Sequence, residues 1–410
     1  MKKTVLKQYA RLIAKMGGNV RKGQDVQIYA SVEQPEFARM VAEECYRLGA
    51  RKVSVEFSYQ PLEKLHMQKR ALKTLSEMED WEIARLENRV NRLPVMIYLE
   101  SDDPDGMRGI DQKKSAMAHQ ARYKIIKPYR ERMENKYQWC IAGVPGEKWA
   151  KKVFPGESRG RAMEKLWESI LATSRVIDGG DAVAAWEAHN SDLSSRCAYL
   201  NGLGLKSLEY KSSNGTDFRV GLLEDALFMG GAETALGSGI VFNPNIPSEE
   251  VFTSPRRGDA DGIVYSSKPL SYRGELIENF SFRFENGKVT EVHAEKGEDL
   301  LREMISMDEG AAYLGECALV PYDSPIRQSG VLFYNTLFDE NAACHLAVGH
   351  GFTNVLRDYD KYTNEECYAR GINNSMIHVD FMIGTRDLSI TGVTADGKRV
   401  PIFENGNWAF

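Results

Sequence analysis

Apolar and polar residues alternate along residues 377–383, near the end of the chain. The apolar positions are Ile377, Val379, Phe381 and Ile383, and the positions between them are His378, Asp380 and Met382. A period of two predicts a β-strand with one buried face. Because side chains at positions i and i+2 of a strand project to the same side, we expect His378 and Asp380 to lie together.

The first half of the chain shows the pattern of a parallel α/β sheet. A short apolar run at residues 26–30 precedes an amphipathic helix that begins near Pro35 and stops at Gly49. Residues 52–57 and 93–100 predict two further strands of the same sheet. Strand, helix and strand in this order predict parallel pairing with a right-handed crossover. No G-x-G-x-x-G turn follows a strand, so nothing here indicates a dinucleotide site.

Beyond residue 188 the pattern changes and becomes mostly β. Asn214-Gly215 and Asn286-Gly287 each separate two alternating runs, which predicts two β-hairpins. The polar segment 188–195 marks the change of pattern. We therefore predict an α/β N-terminal domain at residues 1–188. A mostly β (α+β) C-terminal domain at residues 189–410 should carry the metal site described below.

Composition excludes several classes of protein. The chain has 410 residues, of which 42% are hydrophobic and 27% charged, and its net charge is −5. This balance argues against a dedicated nucleic-acid binder. No run approaches the ~18 apolar residues of a membrane span, and no apolar signal-peptide core follows the first residues. The six cysteines are dispersed, as is typical of reduced thiols. We expect a cytoplasmic protein with neither a membrane nor a nucleic acid as partner.

The second half also holds the candidate chemistry. A histidine and a carboxylate on one strand suit Zn²⁺ or Co²⁺, although an isolated pair of this kind is more often a structural hydrogen bond. Glu249 and Glu250 are adjacent on a proline-flanked segment, where neighbours face opposite ways, so at most one easily joins a shared site. Glu316 stands at the mouth of an apolar strand and needs a partner if it is buried. Taken singly, a Glu249-Glu250 pair is usually a solvated edge, and a glutamate placed like Glu316 is usually a salt-bridge partner.

Other hydrolytic centres are disfavoured. Cys344 and His345 could suggest a thiol hydrolase, but neighbouring side chains diverge by about 100° on the helix that we expect there. They could not then form the nucleophile–base hydrogen bond. Neither Ser324-Pro325 nor Ser329-Gly330 lies in the G-x-S-x-G elbow of serine hydrolases.

Four motifs of the second half, in fixed order, carry a family resemblance. They are NIPSEEVFTSP, GECALVPYDSPI, LFYNTLFDENAACHLAVG and HVDFMIG. Together they resemble the thermophilic-aminopeptidase family of metallopeptidases, the group of aminopeptidases T, S and II. The segments KGQDVQIYASVEQPEFAR and WAKKVFPG extend the resemblance over nearly the whole chain. It implies a homodimer with internal active sites, which removes N-terminal residues from peptides with two divalent metal ions bound in the C-terminal domain.

Site residues follow from the same resemblance. The implied metal ligands are Glu250, Glu316, His345, His378 and Asp380. Glu316 would bridge the two ions, which could be zinc, cobalt or manganese. Glu249 is then our candidate general base, which takes a proton from the attacking water and returns it to the leaving amine. The roles of Glu249 and Glu250 could also be reversed.

One position departs from the family pattern. The family has a tyrosine seven residues after the histidine of the ENAACH motif, and this chain has Phe352. His350, between two glycines, is either a substitute donor or a surface histidine. The departure leaves a second hypothesis open, a catalytically impaired metal- or peptide-binding protein on the same scaffold. The complete ligand set favours the enzyme.

Overall fold

Two units make up the computed structural model, which describes all residues from 1 to 410. The first consists of residues 1–188 and 232–247, and the second of residues 189–231 and 248–410. Residues 232–247, which the sequence pattern assigned to the second domain, thus belong to the first unit. The physical reason is strand pairing, because residues 245–246 add a short parallel strand to the first unit's sheet.

The α-helices are concentrated in the first unit. In chain order they are α1 Lys3–Leu12, α2 Pro35–Arg47, α3 Gln60–Lys69, α4 Leu72–Ser76, α5 Asp80–Arg92, α6 Gln112–Met133, α7 Glu147–Val153, α8 Arg159–Thr173, α9 Ala182–Gly202, α10 Glu298–Ile305, α11 Pro325–Gln328, α12 Thr336–Asp339 and α13 Asn364–Ala369. None of them combines the length and the apolar character that crossing a membrane requires.

The strands are concentrated in the second unit. They are β1 Asp25–Ser31, β2 Lys52–Ser58, β3 Val95–Glu100, β4 Trp139–Gly143, β5 Leu205–Lys211, β6 Asp217–Leu222, β7 Met229–Gly230, β8 Glu233–Thr234, β9 Val241–Phe242, β10 Asn245–Ile246, β11 Val251–Thr253, β12 Pro255–Tyr265, β13 Leu270–Tyr272, β14 Glu275–Glu285, β15 Lys288–Lys296, β16 Leu314–Leu319, β17 His345–Gly349, β18 His378–Met382, β19 Ser389–Thr394, β20 Arg399–Glu404 and β21 Asn407–Trp408.

The first unit contains a parallel sheet in the order β10-β4-β3-β1-β2. The predicted strand–helix–strand unit is confirmed as β1, α2 and β2. Pro35 occupies the first turn of α2, where its missing N–H would have no helical partner. Gly49 follows the helix at φ +93°. The N–H of Gly49 donates to the carbonyl of Tyr46, and that of Ala50 to the carbonyl of Cys45, so a Schellman motif ends the helix.

Two sheets form the second unit. One has nine strands, β13-β14-β12-β6-β5-β19-β20-β21 with β15 beside β14, and contains both predicted hairpins. Asn286 and Gly287 take φ of +49° and +79°, as a type I′ turn requires. The other sheet, β18-β17-β16-β11-β7, is called the site sheet here. Phe282 of the large sheet and Phe381 of the site sheet lie 4.9 Å apart between ring centroids, within one shared core. The predicted fold class is confirmed.

Candidate metal centre

Three neighbouring strands of the site sheet place their polar residues on one face. Glu316 of β16 is the Cα partner of Ala347 in β17, and Ala347 is the partner of Asp380 in β18. Directly opposed residues of antiparallel strands share a face. His345 and His378 stand two residues before Ala347 and Asp380, so they project to the same side. The small side chain of Ala347 leaves the middle of this face open.

The fourth strand brings a further carboxylate to the cluster. Glu250 immediately precedes β11, and its Oε2 lies 3.3 Å from Nε2 of His345. Nε2 of His378 lies 3.0 Å from Oε2 of Glu316 and 3.2 Å from Oδ1 of Asp380. Two triads result, Glu250–Glu316–His345 and Glu316–His378–Asp380, each with its ligand atoms within 4.8 Å of one another. Glu316 belongs to both and is only 4% exposed.

Backbone carbonyls set the orientation of both histidines. Nδ1–H of His378 donates to the carbonyl of His350 at 2.7 Å, and Nδ1–H of His345 faces the carbonyl of Ala343 at 3.2 Å. In the neutral rings Nε2 then carries a lone pair and points at the carboxylates. Oδ1 of Asp380 is buried and has no hydrogen-bond partner. Backbone carbonyls that accept from the other ring nitrogen hold histidine ligands in this way in metal sites.

The charges of the cluster shift its pKa values. Burial raises the pKa of Glu316 to about 7, although the nearby His378 opposes this shift. Burial would lower the pKa of His345, but the hydrogen bond and charge of Glu250 outweigh it and raise the pKa to about 9. Burial likewise opposes the shift at Asp380, where the charge of His378 lowers the pKa to about 2.

The donor chemistry fits divalent cations. Buried carboxylates repel one another unless protons or cations compensate their charge. Imidazole nitrogens together with carboxylate oxygens suit borderline ions such as Zn²⁺, Co²⁺ and Mn²⁺. The buried oxygen of Asp380 that accepts no hydrogen bond and the two inward-facing Nε2 atoms are positions that a cation would satisfy. The residues present therefore fit the metal that the sequence predicts.

Glu249 lies outside both triads, as expected for a neighbour on an extended segment. It is nevertheless buried, with 6% of its surface exposed. Its backbone N–H donates to Oδ1 of Asn341 at 2.7 Å. Its Oε2 lies 3.9 Å from Nε2 of His189. The two adjacent glutamates thus have different surroundings, since Glu250 lies beside His345 whereas Glu249 lies beside His189 and Asn341.

Glu340 is a site residue that the sequence reasoning did not select. It is buried on a short 3₁₀ turn that precedes β17. Burial raises its pKa well above the ordinary value, and the charges of Asp380, Glu250 and Glu316 add to this effect. Glu340 is therefore near enough to the cluster to be affected by its charges. The signal that could have found it is its place in the ENAACH motif, five residues before His345.

Phe352 contacts the cluster through its ring. Its centroid lies 4.9 Å from that of His378, and its backbone N–H donates to Oγ of Ser254 at 2.8 Å. His350 contributes its carbonyl oxygen to His378, while its own ring lies 6.1 Å from that of Tyr368. His350 thus orients a candidate ligand through its backbone.

The prediction of a helix at Cys344 and His345 is wrong. His345 begins strand β17, and Cys344 lies between it and Ala343, whose backbone is extended. Consecutive residues of extended chain face opposite ways, so the two side chains still diverge. The Cys344 thiol is buried, donates to the carbonyl of Val320 at 3.3 Å, and has its pKa raised to about 12 by burial. A thiolate nucleophile remains excluded at this position.

Comparison with known proteins finds relatives that match along nearly the whole chain. The family model described as thermophilic metalloprotease (M29) matches residues 2–408. The chain is 42% identical over 406 residues to aminopeptidase AmpS of Bacillus subtilis, covering 99% of this chain and 98% of that protein. It is 39% identical over 404 residues to aminopeptidase T of Thermus thermophilus, covering 98% of each. The solved structure of wild-type AmpT from Thermus thermophilus superposes with a TM-score of 0.90 at 37% identity and covers all of both chains.

Proposed function

Because this chain belongs to the thermophilic metalloprotease (M29) family and is therefore a metal-dependent hydrolase, we propose that it removes N-terminal residues from peptides with two divalent cations. The observation that carries the proposal is the pair of triads that share Glu316 on one face of the site sheet. A shared carboxylate between two ligand sets is the arrangement of two-metal hydrolytic sites.

The cation-holding residues divide between the two triads. Glu250 and His345 would hold one ion, His378 and Asp380 the other, with Glu316 between them. Glu340 would add a further carboxylate from the same cluster. Zinc, cobalt or manganese suits this donor set. When bound, such ions supply Lewis-acid chemistry, which polarises the scissile carbonyl and lowers the pKa of a coordinated water.

Proton transfer falls to Glu249 in this proposal. Glu249 is buried, adjoins Glu250 in the sequence and belongs to neither triad, so in this proposal it serves as the base and not as a ligand. It would accept a proton from the attacking water and return it to the leaving amine. The acidic cluster also attracts the α-ammonium group of a substrate. That attraction favours a free N-terminus and accounts for exopeptidase action.

We further propose that the enzyme acts as a homodimer in the cytoplasm. Strand β2 is an edge of the first unit's sheet, and large apolar side chains are exposed along it and along α3. These are Val55, Phe57, Tyr59, Leu62 and Leu65. An exposed apolar strand edge invites pairing with another chain. The six cysteines are all buried and free, which supports a reducing compartment.

Turnover of an amino-acyl chromogenic anilide with added Co²⁺ or Zn²⁺ tests the proposed activity. We expect release of the chromophore, and no release from the N-acetylated anilide, because acetylation removes the ammonium group. Equal hydrolysis of both substrates would contradict exopeptidase action. The catalytically impaired alternative rests on Phe352 and predicts binding of metal and peptide without turnover.

A further inference from the structure

Two side chains from distant parts of the chain form hydrogen bonds with one peptide group next to Glu250, a candidate metal ligand. The carbonyl oxygen of Ser248 lies 2.7 Å from Nε2 of His189, and the N–H of Glu249 donates to Oδ1 of Asn341 at 2.7 Å. Both atoms belong to the peptide bond that joins Ser248 to Glu249. That bond is planar, so hydrogen bonds at its opposite ends fix the orientation of the whole plane.

Both anchors are themselves held in place. Asn341 is fully buried, and its Nδ2 donates to the carbonyl of Leu337 at 2.9 Å. His189 lies within helix α9, and its side chain is 9% exposed. A carbonyl only accepts hydrogen bonds, so Nε2 of His189 must carry the proton. The same N–H edge lies 3.9 Å from Oε2 of Glu249. His189 therefore donates its Nε2–H to the backbone of this segment, and the Glu249 carboxylate lies nearby without a hydrogen bond to that nitrogen.

We propose that His189 is a positioning residue for Glu249, which it serves by holding the Ser248–Glu249 peptide plane with the help of Asn341. The inference rests on the proposed role of Glu249 as general base. The orientation of the plane sets the direction in which the Glu249 side chain leaves the backbone. Without the Nε2 donor the plane can rotate, and the carboxylate moves relative to the cluster. A displacement of about 1 Å can cost about 10²-fold in rate.

The first test compares His189→Ala with His189→Gln, because the glutamine amide can still donate to the Ser248 carbonyl. We expect His189→Ala to lower kcat by about 10–100-fold with KM and metal content unchanged, and His189→Gln to recover most of the loss. The matched control is His293→Gln, since His293 on strand β15 of the large sheet is 73% exposed and pairs with Glu298 of helix α10. Wild-type kcat in His189→Ala would overturn the inference.

The pH profile separates positioning from proton transfer. Glutamine cannot titrate, so His189→Gln should keep the wild-type pH dependence of kcat. A displaced profile in this variant would give His189 a proton-transfer role and would overturn the inference. Should His189→Ala fold poorly, as thermal unfolding would reveal, the glutamine variant and its profile decide the question alone.

A double-mutant cycle tests whether His189 acts through Glu249. If it does, adding His189→Ala to Glu249→Gln should lower kcat no further than Glu249→Gln alone. A full multiplicative loss in the double variant would overturn the inference. Full activity of Glu249→Gln would refute the base itself and the inference with it. A fully active His189→Ala beside a slow Glu249→Gln would refute the inference and leave the proposed function intact.

Discussion

The ring of Phe352 lies against the ring of His378, with centroids 4.9 Å apart and an angle of 50° between the planes. The family resemblance implies a tyrosine at the position of Phe352, so this chain places a ring without a hydroxyl group beside the candidate ligand His378. His350 makes its contact with His378 through a backbone carbonyl, which is an acceptor and cannot replace a hydroxyl donor.

Phe352→Tyr should therefore raise kcat with little change in KM. A hydroxyl donor that stabilises the tetrahedral oxyanion is worth about 10²–10³-fold in rate, and its contact exists only in the transition state. Steady-state kinetics with the metals bound measure the effect. The control is Phe252→Tyr, which adds the same hydroxyl to the ring that packs on Phe352 at 5.3 Å. An unchanged kcat in Phe352→Tyr would show that the enzyme does not need the donor.

Removal of metal should abolish hydrolysis. The two triads hold their carboxylates and imidazoles close together. Apart from bound metal ions, they provide no electrophile that could polarise the scissile carbonyl. We expect a chelator to inactivate the enzyme and Co²⁺, Zn²⁺ or Mn²⁺ to restore it. Metal analysis and activity should be measured on the same samples. Full activity in a preparation shown to be free of metal would refute the two-metal mechanism.

Glu249→Gln and Glu250→Gln should fail in different ways. Glu250 lies 3.3 Å from His345 within a triad, so its loss should lower metal content. Glu249 lies outside the triads, so its variant should keep the metals and lose about 10²–10⁴-fold in kcat, the usual contribution of a general acid–base group. Metal content and kcat measured on both variants decide the assignment. The opposite pattern would reverse the two roles.

Stability of the metal-free protein should fall as pH rises from about 4.5 to about 9. The pKa of Glu316 is raised from 4.5 to about 7, and that of His345 from 6.5 to about 9. Groups with raised pKa stabilise the fold below their unfolded pKa, and this stabilisation is lost as pH rises through the folded value. The lowered pKa of Asp380, about 2 against 3.8, acts only below this window.

Cations bind the deprotonated ligands, so the increase in Tm on adding Co²⁺ should be larger at about pH 8 than at about pH 6. Thermal unfolding with and without Co²⁺ measures the difference at each pH. An increase in Tm that is independent of pH would contradict the raised pKa values.

The proposed dimer should select substrates by size. Sites enclosed within a dimer admit short peptides, whereas the N-terminus of a folded protein does not reach them. We expect a dimeric mass in solution, which Phe57→Glu on the exposed edge strand β2 should reduce to that of a monomer. His293→Gln serves again as a surface control. Efficient trimming of a folded protein by a monomer would contradict the enclosed site.

Local patterns determined the elements of this protein. The period of two along residues 377–383 places His378 and Asp380 on one side of β18, because alternation is a property of any extended chain. The Asn286-Gly287 pair likewise determines its turn, since both residues tolerate the positive φ that a type I′ turn needs. These features depend on neighbours in the sequence and could be read before the fold was known.

Tertiary structure decided how the elements meet. The row Glu316–Ala347–Asp380 exists because three strands pair in one register, which depends on long-range packing and turn geometry. A shift of the strand register by one residue would point the Glu316 side chain into the hydrophobic core. Glu340 joins the cluster from a 3₁₀ turn, which has no periodicity that a sequence pattern could detect. His189 meets Ser248 only because the chain returns after 59 residues. Contacts of this range depend on the whole packed unit, and no local segment encodes them.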